Sequence, residues 1–131
     1  MATLEDALLT RLTGFAELEA LVGARAFHPS APLAPIVPYV VFRRVTTQRT
    51  PLLAGASGYA RPRVQFDAWA ETDDVIGDVA AALRHGLDGF AGTVAQVDIL
   101  SAALVNESHD LDREANLFHV RQDYELLYRE D

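Results

Sequence analysis

At 131 residues, half of them hydrophobic and with a formal net charge of −8, the chain suits one folded domain, 1–131, and is too short for two. That charge argues against a nucleic-acid binder, which needs cations to displace counterions from phosphates. The absence of cysteine excludes disulfides, thiolate metal sites and thiol catalysis. No apolar run approaches the roughly 20 residues of a membrane helix, so no membrane association is predicted. The opening MATLEDALLT carries acids where an export signal would carry positive charge, which predicts no export.

Thr3 predicts a helix cap, with Glu5 and Asp6 in the first turn and Leu4, Ala7, Leu8 and Leu12 along one face. Gly14 interrupts that helix, and Phe15 to Leu21 predicts a short second one ending at Gly23. Phe27 to Pro38 holds four of the six prolines and reads as an extended surface crossing rather than a strand. Tyr39 to Thr47 is β-branched and aromatic, a strand. Gln48 to Ala60 has no consistent period and carries Pro51, Gly55 and Gly58, so it reads as a long loop between the first two strands.

In Arg61 to Glu71 the residues Val64, Phe66, Ala68 and Ala70 alternate with polar ones, a strand with one buried face. At Thr72 the period changes to that of a helix, with Asp73 and Asp74 at its positive end and Ile76, Val79, Ala80, Leu83 and Leu87 as an apolar stripe. A third strand follows, in which Val97, Ile99, Ala103 and Val105 share a face. Ser108 to Asn116 reads as a charged loop, and Leu117 to Arg129 as a last strand with Gln122 breaking its inward set. The expected fold is therefore α+β: a single four-stranded, mainly antiparallel sheet with helices packed on one face.

No catalytic constellation emerges. Gly55-Ala-Ser-Gly58 lacks the lysine and helix of a phosphate loop. Ser57 has no nucleophile elbow around it. His109, Asp110 and Asp112 are too close along the chain to converge on a metal, and His119 beside Arg121 and Asp123 suggests a cross-strand charge ladder. No cofactor, metal or enzymatic activity is predicted. Trp69, on the polar face of the central strand, needs cover from the Gln48–Ala60 loop or from another subunit. The charges are uneven: residues 1–60 carry five arginines against four acids, residues 61–131 six against 15. Arg43, Arg44, Arg49, Arg61 and Arg63 gather at the base of the loop, whose Leu52, Leu53 and Tyr59 are apolar. Asp110, Asp112 and Glu114 are the matching acids for an adjacent subunit.

Taken in order, the segments LEDALLTRL, VPYVVFRRV, RPRVQFDAWAETDD, ALRHGLDGFAG, NESHDLD and LFHVRQDYELLYRE resemble the phage tail-completion, or tail-terminator, family over nearly the whole chain. The resemblance implies a structural ring, commonly a hexamer, located in a virion or phage-like particle. There it would end the tail tube and join it to the head, with the tail tube protein and the head-tail connector as partners, and DNA would pass through the lumen unbound. The family's relatives occur in prophages and gene transfer agents. A small dimeric ligand- or peptide-binding module is the alternative that the residues themselves allow.

Overall fold

The computed structural model describes residues 3–52 and 55–130. The elements run α1 (Leu4–Gly14), α2 (Ala16–Val22), β1 (Ala26–Phe27), β2 (Tyr39–Leu52), β3 (Gly55–Ala70), α3 (Asp73–Leu87), β4 (Gly92–Val94), β5 (Val97–Asp112) and β6 (Leu117–Arg129). The expected four-stranded sheet is corrected to a curled, six-stranded mixed one, ordered β1-β2-β3-β6-β5-β4. Its edges are the reason. β1 has two residues, β4 three, and neither is long enough to display a period. β1 lies parallel to β2, while the other pairings are antiparallel.

The long loop is also corrected. β2 continues to Leu52 and β3 begins at Gly55, so most of Gln48–Ala60 is a hairpin. Its alternation is hidden by register shifts between Arg44 and Thr46 and between Arg49 and Pro51, the first of which moves the side chains after it to the other face. Pro51 is tolerated because that part of β2 is a sheet edge. Pro62 lies inside the sheet, and the β3–β6 ladder skips Arg61 and Pro62, where the proline has no N–H to donate. Similarly, the predicted charged loop is strand as far as Asp112. The shift between Ile99 and Ser101 turns Ala102 and Leu104 inward, where the sequence suggested Ala103, and the one between Leu104 and Asn106 leaves Val105 exposed.

The helices form as their caps dictate. Thr3 and Asp6 make a reciprocal capping box at α1, and the Thr72 hydroxyl accepts from the Val75 amide at α3. α3 packs on β3, β5 and β6 through Ile76, Val79, Ala80, Leu83 and Leu87, while α1 reaches the edge strands β1 and β4. The core between helices and sheet centres on Phe42, Phe66 and Tyr124. Phe42 and Phe66 stack at 5.5 Å, and Tyr124 meets Phe66 edge-on at 5.3 Å. Gln122, fully buried on the same face, is satisfied three ways. It donates to the Ala80 carbonyl (3.0 Å) and to Glu107 (2.6 Å), and it accepts from the Tyr124 hydroxyl (2.7 Å). A polar residue in the inward set thus ties α3 to β5 and β6.

Candidate subunit interface

The sheet face turned away from the helices carries the polar half of every alternation. Its best-ordered feature is a row across four strands, Tyr39, Trp69, His119 and Asp110. The Trp69 ring stacks between Tyr39 (5.0 Å) and His119 (4.8 Å), so its neighbours in the sheet provide its cover. The Gln48–Ala60 segment does not: its nearest residue on β3, Ala60, lies nine residues from Trp69, roughly 30 Å away in an extended strand.

Beneath this row Asp67 gathers three partners. His119 Nε2 lies 2.7 Å from its Oδ1, the Arg121 Nε donates at 3.2 Å, and the Gln65 amide donates to Oδ2 at 2.8 Å. Burial alone would raise the Asp67 pKa; the hydrogen bonds from His119, Gln65 and Arg121 outweigh it and hold the carboxyl below its usual range. The charge ladder suggested by His119 is present, with Asp67 of the neighbouring strand as its centre.

The predicted interface residues fall into three places. Arg44 turns inward to Glu5 of α1 (3.0 Å), and Arg49 makes a two-pronged pair with Glu130 at 2.7 Å, which draws the Glu130 pKa down to about 2. Arg43 is exposed on the outer face. Arg61 and Arg63 line a groove of about 350 Å³ with Thr46, Gln48, Ser101 and Glu125, Arg63 standing 3.5 Å from Asp123. The Tyr59 hydroxyl accepts from Arg129. Asp110, Asp112 and Glu114 lie at the opposite end of the sheet, around a hollow of about 520 Å³ shared with Trp69, Leu111, Arg113 and His119. The structure therefore brings Trp69 together with the acids and separates both from Arg61 and Arg63. Leu52 ends β2, and Leu53 lies outside the described residues.

His109 faces Glu107 (3.0 Å) on the helix side of β5, opposite to Asp110 and Asp112, so strand alternation prevents the three from converging. Among the described residues no group of three or more histidines and acids is placed to hold a metal ion. The sequence reading missed a set of exposed apolar residues: Leu33, Ile36, Val45, Leu100, Val105 and Leu111. Leu33 and Ile36 stand among prolines, whereas Val45 and Val105 sit at the register shifts that the strand period does not reveal.

The protein is thus a mixed sheet covered by helices on one face, with a polar outer face and apolar residues exposed at its edges. The sequence matches the family described as "Tail completion protein gp17" over residues 6–129, and the chain belongs to that family. It is accordingly a structural protein of a phage-type tail, located in the virion particle. Among curated proteins no sequence matches. Among solved structures, a chain of "Virion of native gene transfer agent (GTA) particle" is similar in fold, with a TM-score of 0.81 and 17% identity over 96% of this chain and 94% of that one.

Proposed function

We propose that the protein assembles side by side with copies of itself into a ring, six-fold as in the family it resembles, that closes the tail tube and joins it to the head. The observation that supports this is the match between its two long sheet edges. β1 covers β2 only at Val40 and Val41, and β4 covers β5 only from Val97 to Ile99. Below Val41 and beyond Ile99 the outer edges have no strand partner among the described residues, though on β5 the Ala102 carbonyl accepts from the Gly89 amide (2.8 Å) and the Leu104 amide donates to the Asp88 carboxylate (3.0 Å), so that edge is open only past Leu104. Such edges are usually blunted by charge. Here Val45–Gln48 are uncharged, as are Leu100–Asn106 apart from the Asp88 carboxylate that sits on the Leu104 amide, and the two stretches lie level across the sheet through the row Thr46, Arg63, Glu125 and Ala103.

The edges also differ in sign. β2 contains Arg43, Arg44 and Arg49 and no acid, whereas β5 contains Asp98, Glu107, Asp110 and Asp112 and no arginine; Arg44, Arg49, Glu107 and Asp98 are paired within the chain with Glu5, Glu130, Arg84 and Arg129, so the contrast rests on Arg43 against Asp110 and Asp112. β2 against β5 is thus electrostatically favoured over β2 against β2. The two strands run in opposite directions, so copies rotated about an axis along the strands present antiparallel edges to each other. A head-to-tail contact of this kind forms a ring when its rotation closes. The hairpin beyond Tyr59–Arg129, the last row shared with β6, extends past the sheet as an arm toward the tail tube.

The test places one charge on each edge. Val45→Lys and Val105→Lys should retain the wild-type thermal midpoint within a few degrees, both sites being exposed, yet yield no annular particles in electron micrographs. Intact rings from both variants would refute edge pairing. A hairpin shortened by replacing residues 50–57 with a two-residue turn should form rings that fail to join tails.

A further inference from the structure

The β2–β3 hairpin leaves the sheet through a break in its own ladder. Arg49 pairs with Ala60 and Pro51 with Ala56, so Thr50 alone on β2 faces Ser57, Gly58 and Tyr59 on β3. Gly58 takes a φ of 82° at the centre of this bulge, a conformation that glycine adopts without strain. A bulge bends the strand that carries it and interrupts the bonds that would hold its angle. The end of β6 lies against the break on both faces. On the outer face the Arg129 guanidinium stands 5.1 Å over the Tyr59 ring and donates to its hydroxyl at 3.1 Å. The Glu130 amide donates to the Gly58 carbonyl at 2.7 Å, and its carboxylate turns to the opposite face, where Arg49 Nε and Nη2 each donate to it at 2.7 Å. One residue therefore grips both strands of the hairpin, β3 by its backbone and β2 by its side chain. The Tyr128 hydroxyl donates to the same carboxylate at 3.1 Å, and Arg44, 5.6 Å over the Tyr128 ring, carries the connection to Glu5 of α1.

We infer that Arg129 and Glu130 form a two-sided clamp that sets the direction in which the hairpin leaves the sheet, with Glu130 as the positioning residue. The clamp does not belong to the core. The Arg49 and Glu130 side chains are 56% and 32% exposed, and exposed ion pairs add little to global stability. Their place in the fold gives them another role. The ladder between β3 and β6 ends at Tyr59–Arg129, so beyond that row only the β2–β3 ladder continues, and the bulge interrupts it there. Contacts too weak to hold a fold are enough to select one angle at such a hinge, because no buried packing competes with them. That the arm so aimed meets the tail tube rests on the reading proposed above. Losing the clamp would leave the core and the sheet edges as they are and present the arm in the wrong place.

The chain has no cysteine, so introduced ones can carry spin labels without competition. Labels at Leu52→Cys on the hairpin and Ala103→Cys on β5 report the arm's direction as a distance distribution in double electron–electron resonance. A single narrow distance is expected with the clamp intact. Adding Glu130→Ala should broaden or shift it while the thermal midpoint stays within a few degrees. The charge exchange Arg49→Glu/Glu130→Arg should bring the narrow distance back, a recovery that a merely structural loss would not allow. In particles, Glu130→Ala should lower the yield of tails joined to heads, and the exchange should restore it. A distribution that is broad with the clamp intact, that Glu130→Ala leaves unmoved, or that the exchange fails to recover would overturn the clamp. A distribution that broadens while tails join normally would uphold the clamp and refute the arm's contact with the tube.

Discussion

Asp67 shows how a polar sheet face becomes specific. One carboxylate is addressed by an imidazole, a guanidinium and an amide from its own and the adjacent strand, beneath a stack of Tyr39, Trp69 and His119. Its folded-state pKa lies below the unfolded value, so its contribution to stability is full above about pH 4 and is lost as the pH falls through the folded pKa. Glu130, drawn to about 2 by Arg49, acts in the same direction, though its exposure makes the contribution small. The thermal midpoint should therefore fall as the pH drops below about 4, and Asp67→Asn should flatten that fall while costing about 1–2 kcal/mol at neutral pH. Melting curves from pH 2 to 7 on both proteins would check it; parallel profiles would show that Asp67 does not carry the linkage. Trp69 was recognisable in sequence as a residue needing cover. Its stacking partners were not, because Tyr39 and His119 lie 30 and 50 residues away and only strand register puts them alongside.

At the level of elements, α3 holds the fold's clearest contrast between two glycines. At Gly77 an added methyl would meet nothing within 4 Å, and the residue is exposed in a helix interior. Gly77→Ala should accordingly stabilise by about 0.5–1 kcal/mol through helix propensity. At Gly86 the same methyl would lie 3.0 Å from the Phe15 ring, with two more ring atoms at 3.2 and 3.3 Å. Phe15 is the junction of α1 and α2, with the Arg11 guanidinium over its ring, and Arg11 Nε also donates to the Gly86 carbonyl. Gly86→Ala should cancel its propensity gain or destabilise the protein. Urea titration of the two variants decides the matter, and equal gains would mean that the Phe15 contact yields freely. The helices were legible because caps and periods are local: Thr3, Thr72 and Gly23 act within a turn of where they stand. The strands were legible only where register is regular. The shifts in β5 and the first in β2 invert the alternation after them, which is why a long hairpin read as a loop and Asp110 and Asp112 read as loop acids.

Across the whole molecule, the charge division between chain halves becomes a division between layers and edges. Within the three helices acids outnumber arginines seven to two, whereas on the outer sheet face Arg61, Arg63 and Arg121 stand among Asp67, Asp123 and Glu125. A balanced sheet face under an acidic helical layer has little net attraction for phosphate. Duplex DNA should bind more weakly than micromolar at physiological salt, and what binding there is should vanish as salt rises. Fluorescence anisotropy would measure this, and submicromolar affinity would contradict it.

The sequence by itself determined the helices with their caps, the apolar faces of the central strands and the resemblance that the family match upheld. All of these are encoded within a few residues or in an ordered string of such segments. The tertiary structure alone decided which strands are neighbours, which edges remain open, and where Leu33, Val45, Leu100, Val105 and Leu111 emerge. Those properties depend on backbone pairing between distant segments. β1 and β4 are too short to announce themselves, yet by covering part of β2 and β5, with Asp88 and Gly89 bonding Leu104 and Ala102 beyond β4, they set which edge groups stay open.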